Sequence, residues 1–186
     1  MALVTKNIAR TTNSISFLEL KIIGAFVISI FAEQMYPIFN IRVYGLLIND
    51  KNEVLVTDEF RFGKEMTKFP GGGLQFGEGT IDCLKREFIE ELNCKIKIVK
   101  HFYTTDFFQP SAFHKDHQLI SIYYIVKNIS PLKNKISKSK FDFKKKEGAQ
   151  SFRWISLSTI CKDDFTFPID KKIAEMLKMA KDMEHK

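Results

Sequence analysis

Cysteine and histidine are scarce in this chain of 186 residues, and their spacing is not that of a metal site. The cysteines, Cys83, Cys94 and Cys161, are odd in number and lack the close pairs that bind zinc. We therefore expect reduced, buried thiols, as in a reducing cytoplasm, rather than a disulfide framework. Of the four histidines only His114 and His117 lie close together, and with no cysteine nearby we assign them to a loop.

The sequence also lacks an apolar run long enough to cross a membrane. Residues 22–32 form an apolar run of eleven, whereas a transmembrane helix needs about 20. The run has the length of a signal-peptide core, but Glu19 and Lys21 interrupt its approach and residues 30–32 are a poor cleavage site. We therefore expect no membrane association and a cytoplasmic protein.

The start of the chain allows more than one interpretation. We predict an N-terminal extension over residues 1–38, and three explanations of it stay open. It could be a helix packed on the domain or on a partner, an export signal, or an artefact of an over-long gene whose natural start is Met35. Its apolar run could contribute to a homodimer interface, although nothing in the sequence sets the oligomeric state.

Neither sign of charge dominates, since the net charge is a moderate +7. That charge would suit a polyanionic ligand, and a lysine-rich surface exposed to water would explain it equally well. The length suits one domain with a sizeable core. Because we find no internal repeat and no linker, we predict a single domain over residues 39–186.

Apolar periodicity predicts an α/β fold, with a mixed β-sheet and helices packed against it. Strand-forming residues at 41–48 and 53–57 flank a turn at residues 49–52, which is typical of a hairpin. Further strands are predicted at residues 95–108, 118–127 and 151–157, and a closing amphipathic helix at residues 170–184.

Another helix is predicted over residues 80–92, after a glycine-rich loop at residues 71–73. Thr80 is its expected N-cap. Glycine has no Cβ, so the backbone of the loop can approach a ligand closely. The apolar stripe of the helix consists of Ile81, Leu84, Phe88 and Leu92.

Three carboxylates lie on one face of this helix. Glu87, Glu90 and Glu91 stand at positions i, i+3 and i+4, which are neighbours on a helix surface. Such a cluster repels itself unless a cation neutralises it, and all-oxygen ligation suits Mg²⁺ or Mn²⁺. Arg86 lies beside the acids and can orient them. These residues therefore indicate metal-assisted chemistry on phosphates.

Residues 72–94 carry the pattern G-x5-E-x7-R-E-Φ-x-E-E-x-N-C, where Φ is Phe88. This pattern resembles the Nudix box, G-x5-E-x7-R-E-U-x-E-E-x-G-U, where U is a bulky aliphatic residue. The glycine, Glu78, the arginine and the three helical glutamates match at the required spacing, whereas Asn93 and Cys94 depart from it. Both departures are conservative, because asparagine tolerates the left-handed conformation of a helix end and cysteine behaves as a small apolar residue.

The resemblance implies both a fold and a reaction. The fold would be a Nudix α/β/α sandwich, with a mixed β-sheet between helices, over about residues 40–183. The reaction would be hydrolysis, at the pyrophosphate, of a nucleoside diphosphate linked to another moiety X, or of a nucleoside triphosphate. The expected cofactor is Mg²⁺, with Mn²⁺ as a substitute.

The resemblance also implies roles for individual residues. Glu87, Glu90 and Glu91 would bind the metal, and a backbone carbonyl around Gly72 would complete the coordination. Arg86 would hold and orient Glu87 during catalysis.

Further positions of the box would shape the substrate side of the site. Gly71 and Gly73 would lie in the phosphate-side loop, and Glu78 would support the geometry between loop and helix. The identity of X stays open at this point.

Two features outside the box resemble different branches of the family. The Lys-Glu-Gly run at residues 146–148, followed by Trp154, resembles the mutator-type nucleoside triphosphate hydrolases, in which this glutamate helps bind metal or activate water. Glu147 is therefore a candidate catalytic residue, and the general base would be Glu87 or Glu147. The position of Pro110 after the box instead resembles that of a proline in the ADP-ribose-cleaving group. The subgroup is therefore unresolved.

Two other functions are weighed against a hydrolase. A catalytically inactive Nudix domain could sense a nucleotide, but such relatives often lose acids that are complete here. An RNA-cap or RNA-processing protein could use the lysines of residues 133–146, but that segment has few aromatic residues for stacking bases. We therefore expect a small nucleotide-type pyrophosphate as the substrate, and no nucleic-acid partner.

Overall fold

The computed structural model describes residues 38–183. Nearly all of the N-terminal extension predicted over residues 1–38 lies outside this part, so its interpretation stays a prediction. Within the described residues, no helix is both long enough and apolar enough to cross a membrane.

Seven strands and two α-helices make up residues 38–183. The strands are β1 (Ile38–Leu47), β2 (Glu53–Arg61), β3 (Lys64–Lys68), β4 (Gly71–Gly73), β5 (Ile96–Thr104), β6 (His117–Asn128) and β7 (Ala149–Ser156). The helices are α1 (Thr80–Leu92) and α2 (Pro168–Met183). This order contains every element that the sequence predicted, together with β3 and β4, which it did not.

The strands form two sheets. The first has the order β4-β1-β6-β5, in which β1 and β6 run parallel and the other neighbours are antiparallel. The second has the order β3-β2-β7 and is antiparallel throughout. The prediction of a mixed sheet is confirmed, and the structure adds the division into two sheets.

Strand β1 contributes to both halves of the core, because successive side chains of a strand point to opposite faces. Val43 and Leu47 pack in one cluster with the buried residues of α1. Tyr44 and Leu46 pack in a second cluster with the buried residues of α2. The strands therefore lie between two helical layers, as the predicted α/β/α sandwich requires.

Helix α1 spans the predicted residues, but two details of its first turn were wrong. The N-cap is Gly79, with an extended backbone, and Thr80 is the first helical residue. The hydroxyl of Thr80 lies 2.8 Å from that of Tyr124, so it ties α1 to β6 instead of capping the helix. Ile81 is 42% exposed, and the fully buried Cys83 takes its place in the apolar stripe.

The glycines at positions 71–73 form a strand rather than a loop. They pair antiparallel with residues 42–44 of β1. Gly71 has a φ of +133°, and a Cβ at this position would lie 2.2 Å from the carbonyl oxygen of Val43. Only glycine fits so close a pairing. Because glycine has no side chain, no hydrophobic pattern could mark these residues as a strand.

Two backbone amides hold the lysine-dense connection between β6 and β7 against the strands. The amide of Ser137 donates to the carbonyl of Phe152 at 2.7 Å, and the amide of Phe141 donates to Asp58 at 3.2 Å. Asp58 is fully buried and also accepts from Arg153 at 2.8 Å. The backbone of this segment is therefore held against β2 and β7.

The packing of α1 predicts that two of its apolar residues differ in their effect on stability. Phe88→Ala removes a fully buried ring, and we expect it to lower the free energy of unfolding by about 3–5 kcal/mol. Ile81→Ala lies on the same helix but faces solvent, and should change that free energy by less than about 1 kcal/mol. Urea unfolding measures both values. Equal losses would contradict the assignment of the buried face.

Candidate active site

The acidic face of α1 lies against strand β4. The carboxylate of Glu87 is so close to the backbone of Gly72 that a Cβ there would lie 2.3 Å from its carboxyl carbon. At Gly73, by contrast, an added Cβ would meet nothing nearer than Arg42, at 3.6 Å. The missing side chain at the glycine of the box therefore leaves room for the carboxylate of Glu87 in the position where Arg86 holds it.

Arg86 holds several parts of this region together. Its guanidinium makes a fork to Glu78, with distances of 2.6 and 3.0 Å. It also donates to Glu87 at 2.8 Å, to Glu90 at 3.1 Å and to the carbonyl of Gly73 at 3.1 Å. Such charge-assisted, bidentate contacts fix side-chain orientation. They support the orienting role that the resemblance implied for Arg86.

Glu78 connects the loop before α1 to the helix itself. Besides the fork to Arg86, it accepts a hydrogen bond from the amide of Gln75 at 3.0 Å. The hydrogen bonds from Arg86 and Gln75 lower the pKa of Glu78 to about 2. The carboxylate therefore stays charged at neutral pH and keeps Arg86 in place, as expected for a supporting role.

A buried lysine, Lys68, contacts Glu91, the acid of the box that Arg86 does not contact. The ammonium of Lys68 lies 3.7 Å from Glu91, 3.0 Å from Glu59, and donates to the carbonyl of Gly71 at 2.8 Å. Burial opposes the charge, but the carboxylates of Glu91 and Glu59 outweigh it, so the pKa of Lys68 is raised. Glu91 also accepts from the amide of Gly71 at 3.3 Å.

Neighbouring carboxylates, as well as cationic partners, affect the pKa of an acid in this cluster. Burial is the main cause that raises the pKa of Glu91, and the charges of Glu59 and Glu87 add to the increase. The side chain of Glu91 is 17% exposed and that of Glu87 14% exposed, whereas that of Glu90 is 56% exposed. Glu90 therefore lies at the solvent side of the cluster.

Sequence reasoning missed Glu59 and Lys68. The strand that contains Glu59 was ended at Thr57, because Asp58 and Glu59 are poor strand formers. Lys68 precedes the predicted glycine-rich loop and was given no role. Its partners come from β2, β4 and α1, so no local pattern could distinguish it from a solvated lysine.

Glu147 is held at the turn between β2 and β3. Its carboxylate accepts the amide hydrogen of Phe62 at 3.0 and 3.1 Å. The ring of Phe62 lines a cavity that also contains Glu59.

A cavity of about 300 Å³ opens beside Glu59 and Lys68. Two rings at its edge, Phe62 and Phe113, lie 4.7 Å apart between centroids. A volume of this order, with apolar walls and a few polar groups, is typical of a pocket for a small molecule. Other lining residues include Asn40, Arg42, Gln109, Ser111, Phe167 and Asp170.

Asp170 is an ionisable group buried in the wall of this cavity. It is 1% exposed and accepts a hydrogen bond from the hydroxyl of Tyr123 at 2.8 Å. Burial raises its pKa to about 7, although this hydrogen bond and the charges of Lys68 and Arg42 oppose the increase. A perturbed acid in a cavity is a common mark of a functional site.

The donors around α1 fit a hard divalent cation by their chemistry. Five carboxylates, those of Glu59, Glu78, Glu87, Glu90 and Glu91, face three cationic side chains, those of Arg42, Lys68 and Arg86, which leaves an excess of negative charge. All are oxygen donors, as Mg²⁺ and Mn²⁺ prefer. In the described part of the chain, however, no three acidic, histidine or cysteine side chains converge on one point. The carboxylates are paired with Arg86 and Lys68 instead.

The comparisons with known proteins agree with this geometry. A family model described as the NUDIX domain matches residues 39–177. The chain belongs to the Nudix family. Membership places it among pyrophosphohydrolases that generally use divalent metal ions, and the predicted family and enzyme class are thereby confirmed. No curated protein sequence matches the chain.

Solved structures of Nudix proteins share the fold. A NUDIX hydrolase from Nitrosomonas europaea has a TM-score of 0.56 at 18% identity, over 76% of this chain and 88% of its own. The MutT protein from Methanosarcina mazei Go1 has a TM-score of 0.56 at 19% identity, over 80% of this chain and 99% of its own. An ADP-ribose pyrophosphatase from Streptococcus suis 89-1591 has a TM-score of 0.50 at 14% identity, over 79% of this chain and 92% of its own. These identities are low, so the likeness shows the fold and leaves the subgroup unresolved.

Two neighbouring glycines of β4 should respond differently to the same substitution. Gly72→Ala places a methyl group on the carboxylate of Glu87, which must then move and give up its hydrogen bond from Arg86, and we expect it to destabilise the protein by about 1–3 kcal/mol. Gly73→Ala meets only ordinary contacts, and should change stability by less than about 1 kcal/mol. Thermal unfolding of the two variants measures this difference. Tolerance of alanine at both positions would contradict the close approach of Glu87 to β4.

Proposed function

We propose that this Nudix protein is a Mg²⁺-dependent hydrolase that cleaves a pyrophosphate bond in a nucleoside diphosphate derivative or a nucleoside triphosphate. The observation that carries the proposal is the single acidic face of Glu87, Glu90 and Glu91, placed against Gly72 and oriented by Arg86. Mn²⁺ would substitute for Mg²⁺, because both cations prefer oxygen donors.

The residues of the box would have separate roles in catalysis. Glu87, Glu90 and Glu91 would hold the metal, together with backbone oxygen around Gly72. When bound, the metal would neutralise charge on phosphoryl oxygens and lower the pKa of a water molecule. Arg86 keeps the acids in one orientation, which matters because misplacement of reacting groups by about 1 Å can cost about 100-fold in rate.

The general base in this proposal is Glu87. Its carboxylate is held at one oxygen by Arg86, at 2.8 Å, and lies within the acidic face itself. Glu147 is the alternative that the sequence left open. Its carboxylate accepts from the amide of Phe62 at the turn between β2 and β3.

The cavity beside Lys68 and Glu59 supports a nucleotide-type substrate. It adjoins the acidic face through Lys68, which contacts both Glu91 and Glu59. Its aromatic residues, such as Phe113, could pack on a base or on another planar group. We therefore place the nucleoside or the X moiety in this cavity and the pyrophosphate at α1.

A panel of nucleotides tests the activity and ranks substrates at the same time. We expect Mg²⁺-dependent release of a mononucleotide or phosphate from at least one member. Glu90→Gln and Glu91→Gln should each lower kcat/KM by roughly 100-fold or more, since a metal supplies several kcal/mol of charge stabilisation. Asp82→Asn is the matched control, because Asp82 is an exposed acid in the first turn of the same helix.

The outcomes separate the proposed hydrolase from a sensor. Rates like those of the unmodified protein in both glutamine variants would contradict the metal assignment. Nucleotide binding without turnover, in Mg²⁺ and in Mn²⁺, would instead favour a catalytically inactive, nucleotide-sensing domain.

A second comparison assigns the general base. We expect Glu87→Gln to lower kcat by about 100- to 10,000-fold, as removal of a general base does. Glu147→Gln should lower kcat less than about tenfold, because its carboxylate is engaged with the amide of Phe62. Steady-state rates of the two variants test this assignment. The reverse pattern would make Glu147 the base.

A further inference from the structure

Phe62 is an exposed aromatic residue at the edge of the cavity. The residue is 61% exposed, and its ring contacts that of Phe113, with centroids 4.7 Å apart. Both residues line the cavity. The contact with Phe113 leaves much of the Phe62 ring uncovered, so burial in the core does not explain a phenylalanine at this position.

The backbone at Phe62 provides a second, independent observation. Phe62 and Gly63 are the two residues between the paired Arg61 and Lys64, and their φ angles are +54° and +70°. Two positive φ angles are typical of a type I′ turn, whose first position favours asparagine. A bulky side chain with a positive φ is an outlier, and such outliers cluster at functional sites. The turn therefore presents a large ring where a small polar residue would be less strained.

The turn that carries Phe62 is held by the residues that lead into β7. The carboxylate of Glu147 accepts from the amide of Phe62 at 3.0 and 3.1 Å. The amide of Gly148 donates to the carbonyl of Phe60 at 2.9 Å. These contacts fix the backbone from which the Phe62 ring projects.

Phe113 is supported by its own loop and by the core. The hydroxyl of Ser111 accepts from the amides of Phe113 and His114, both at 3.2 Å. The ring of Phe113 packs edge-on against that of Phe167, with centroids 6.2 Å apart, and Phe167 packs against the core cluster of α2. Phe62 and Phe113 thus form a supported aromatic pair, and a surface that is fixed before binding loses little entropy when a ligand binds.

We propose that Phe62 and Phe113 form the stacking surface for the base of the substrate, and that this surface makes the protein selective for purines. Planar bases stack favourably on aromatic side chains. A purine has two fused rings and covers more of the pair than the single ring of a pyrimidine does. The proposal rests on the proposed function in placing a nucleoside in the cavity, and it adds the class of base and the residues that select it.

Binding of nucleoside monophosphates tests the proposal without any hydrolysis. The full chain is titrated calorimetrically with AMP, GMP, CMP and UMP in the absence of divalent ions. We expect at least one purine nucleotide to bind about fivefold or more tightly than both pyrimidine nucleotides. Phe62→Asn should weaken the binding of that purine nucleotide by about 5- to 100-fold, the range that stacking of one base contributes. Phe62→Tyr keeps an aromatic ring and should bind it within about twofold of the unmodified chain.

Stability separates a binding role of Phe62 from a structural one. Because asparagine is favoured at the first position of a type I′ turn, Phe62→Asn should keep or raise the Tm while it weakens purine binding. A large fall in Tm together with the loss of binding would show a structural role and would overturn the proposal, as would unchanged binding in Phe62→Asn.

Phe39→Asn is the matched control. Phe39 is 62% exposed on β1, almost the same fraction as Phe62, and it does not line the cavity. This variant should bind purine nucleotides as the unmodified chain does. An equal loss of binding in Phe39→Asn and Phe62→Asn would contradict a specific stacking surface.

A measurement on the unmodified protein covers the case in which Phe62→Asn does not fold. With labelled phenylalanine, nuclear Overhauser effects from the base protons of the bound purine nucleotide should reach the rings of Phe62 and Phe113. Contacts with other rings alone would overturn the proposal, as would equal affinity for purine and pyrimidine nucleotides or the absence of nucleotide binding. The proposed function fails separately, if no nucleotide of the panel is hydrolysed in Mg²⁺ or Mn²⁺.

Discussion

Repulsion between carboxylates is the constraint on which the arrangement of this site depends. Five glutamates lie on or beside the contact between α1 and β4, and the two cationic side chains that contact them offset part of their charge. Arg86 contacts three of these acids and Lys68 contacts the other two. The cluster can therefore form in the folded protein, and it retains an excess of negative charge.

The two cations work from different places in the chain and in different surroundings. Arg86 belongs to the same helix as the acids and is bound to its loop through Glu78. Lys68 ends β3 and is almost completely buried. An arginine fork matches several carboxylates at once, whereas an ammonium behaves as a compact point charge. Arg86 can therefore orient several acids at once, whereas Lys68 neutralises charge between Glu59 and Glu91.

The site also depends on positions in β4 that carry no side chain. Helix α1 can press its acidic face against β4 because Gly72 leaves room for the carboxylate of Glu87. Strand β4 can in turn pair with β1 because Gly71 adopts a positive φ next to Val43. The consecutive glycines thus join helix α1 to β1, an inner strand of its sheet.

Local patterns were sufficient for much of the fold. The bounds of α1 and the order of the long strands follow from the spacing of apolar residues, which depends only on the helix and strand periods. The acids of the box and Arg86 were identified in the same way, because residues at i, i+3 and i+4 must share a face. Strand β4 was missed, since glycine carries no apolar pattern.

The sequence by itself determined the family, the helix that carries the acids and the kind of cation that they suit, because each of these depends on residues close together in the chain. Only the tertiary structure decided which groups surround those acids. It brought Lys68 and Glu59 to Glu91 from separate strands, and it left Glu147 at the turn that holds Phe62. The physical reason is that a buried charge pairs with the groups that lie near it in space. Pairing between strands determines which residues those are.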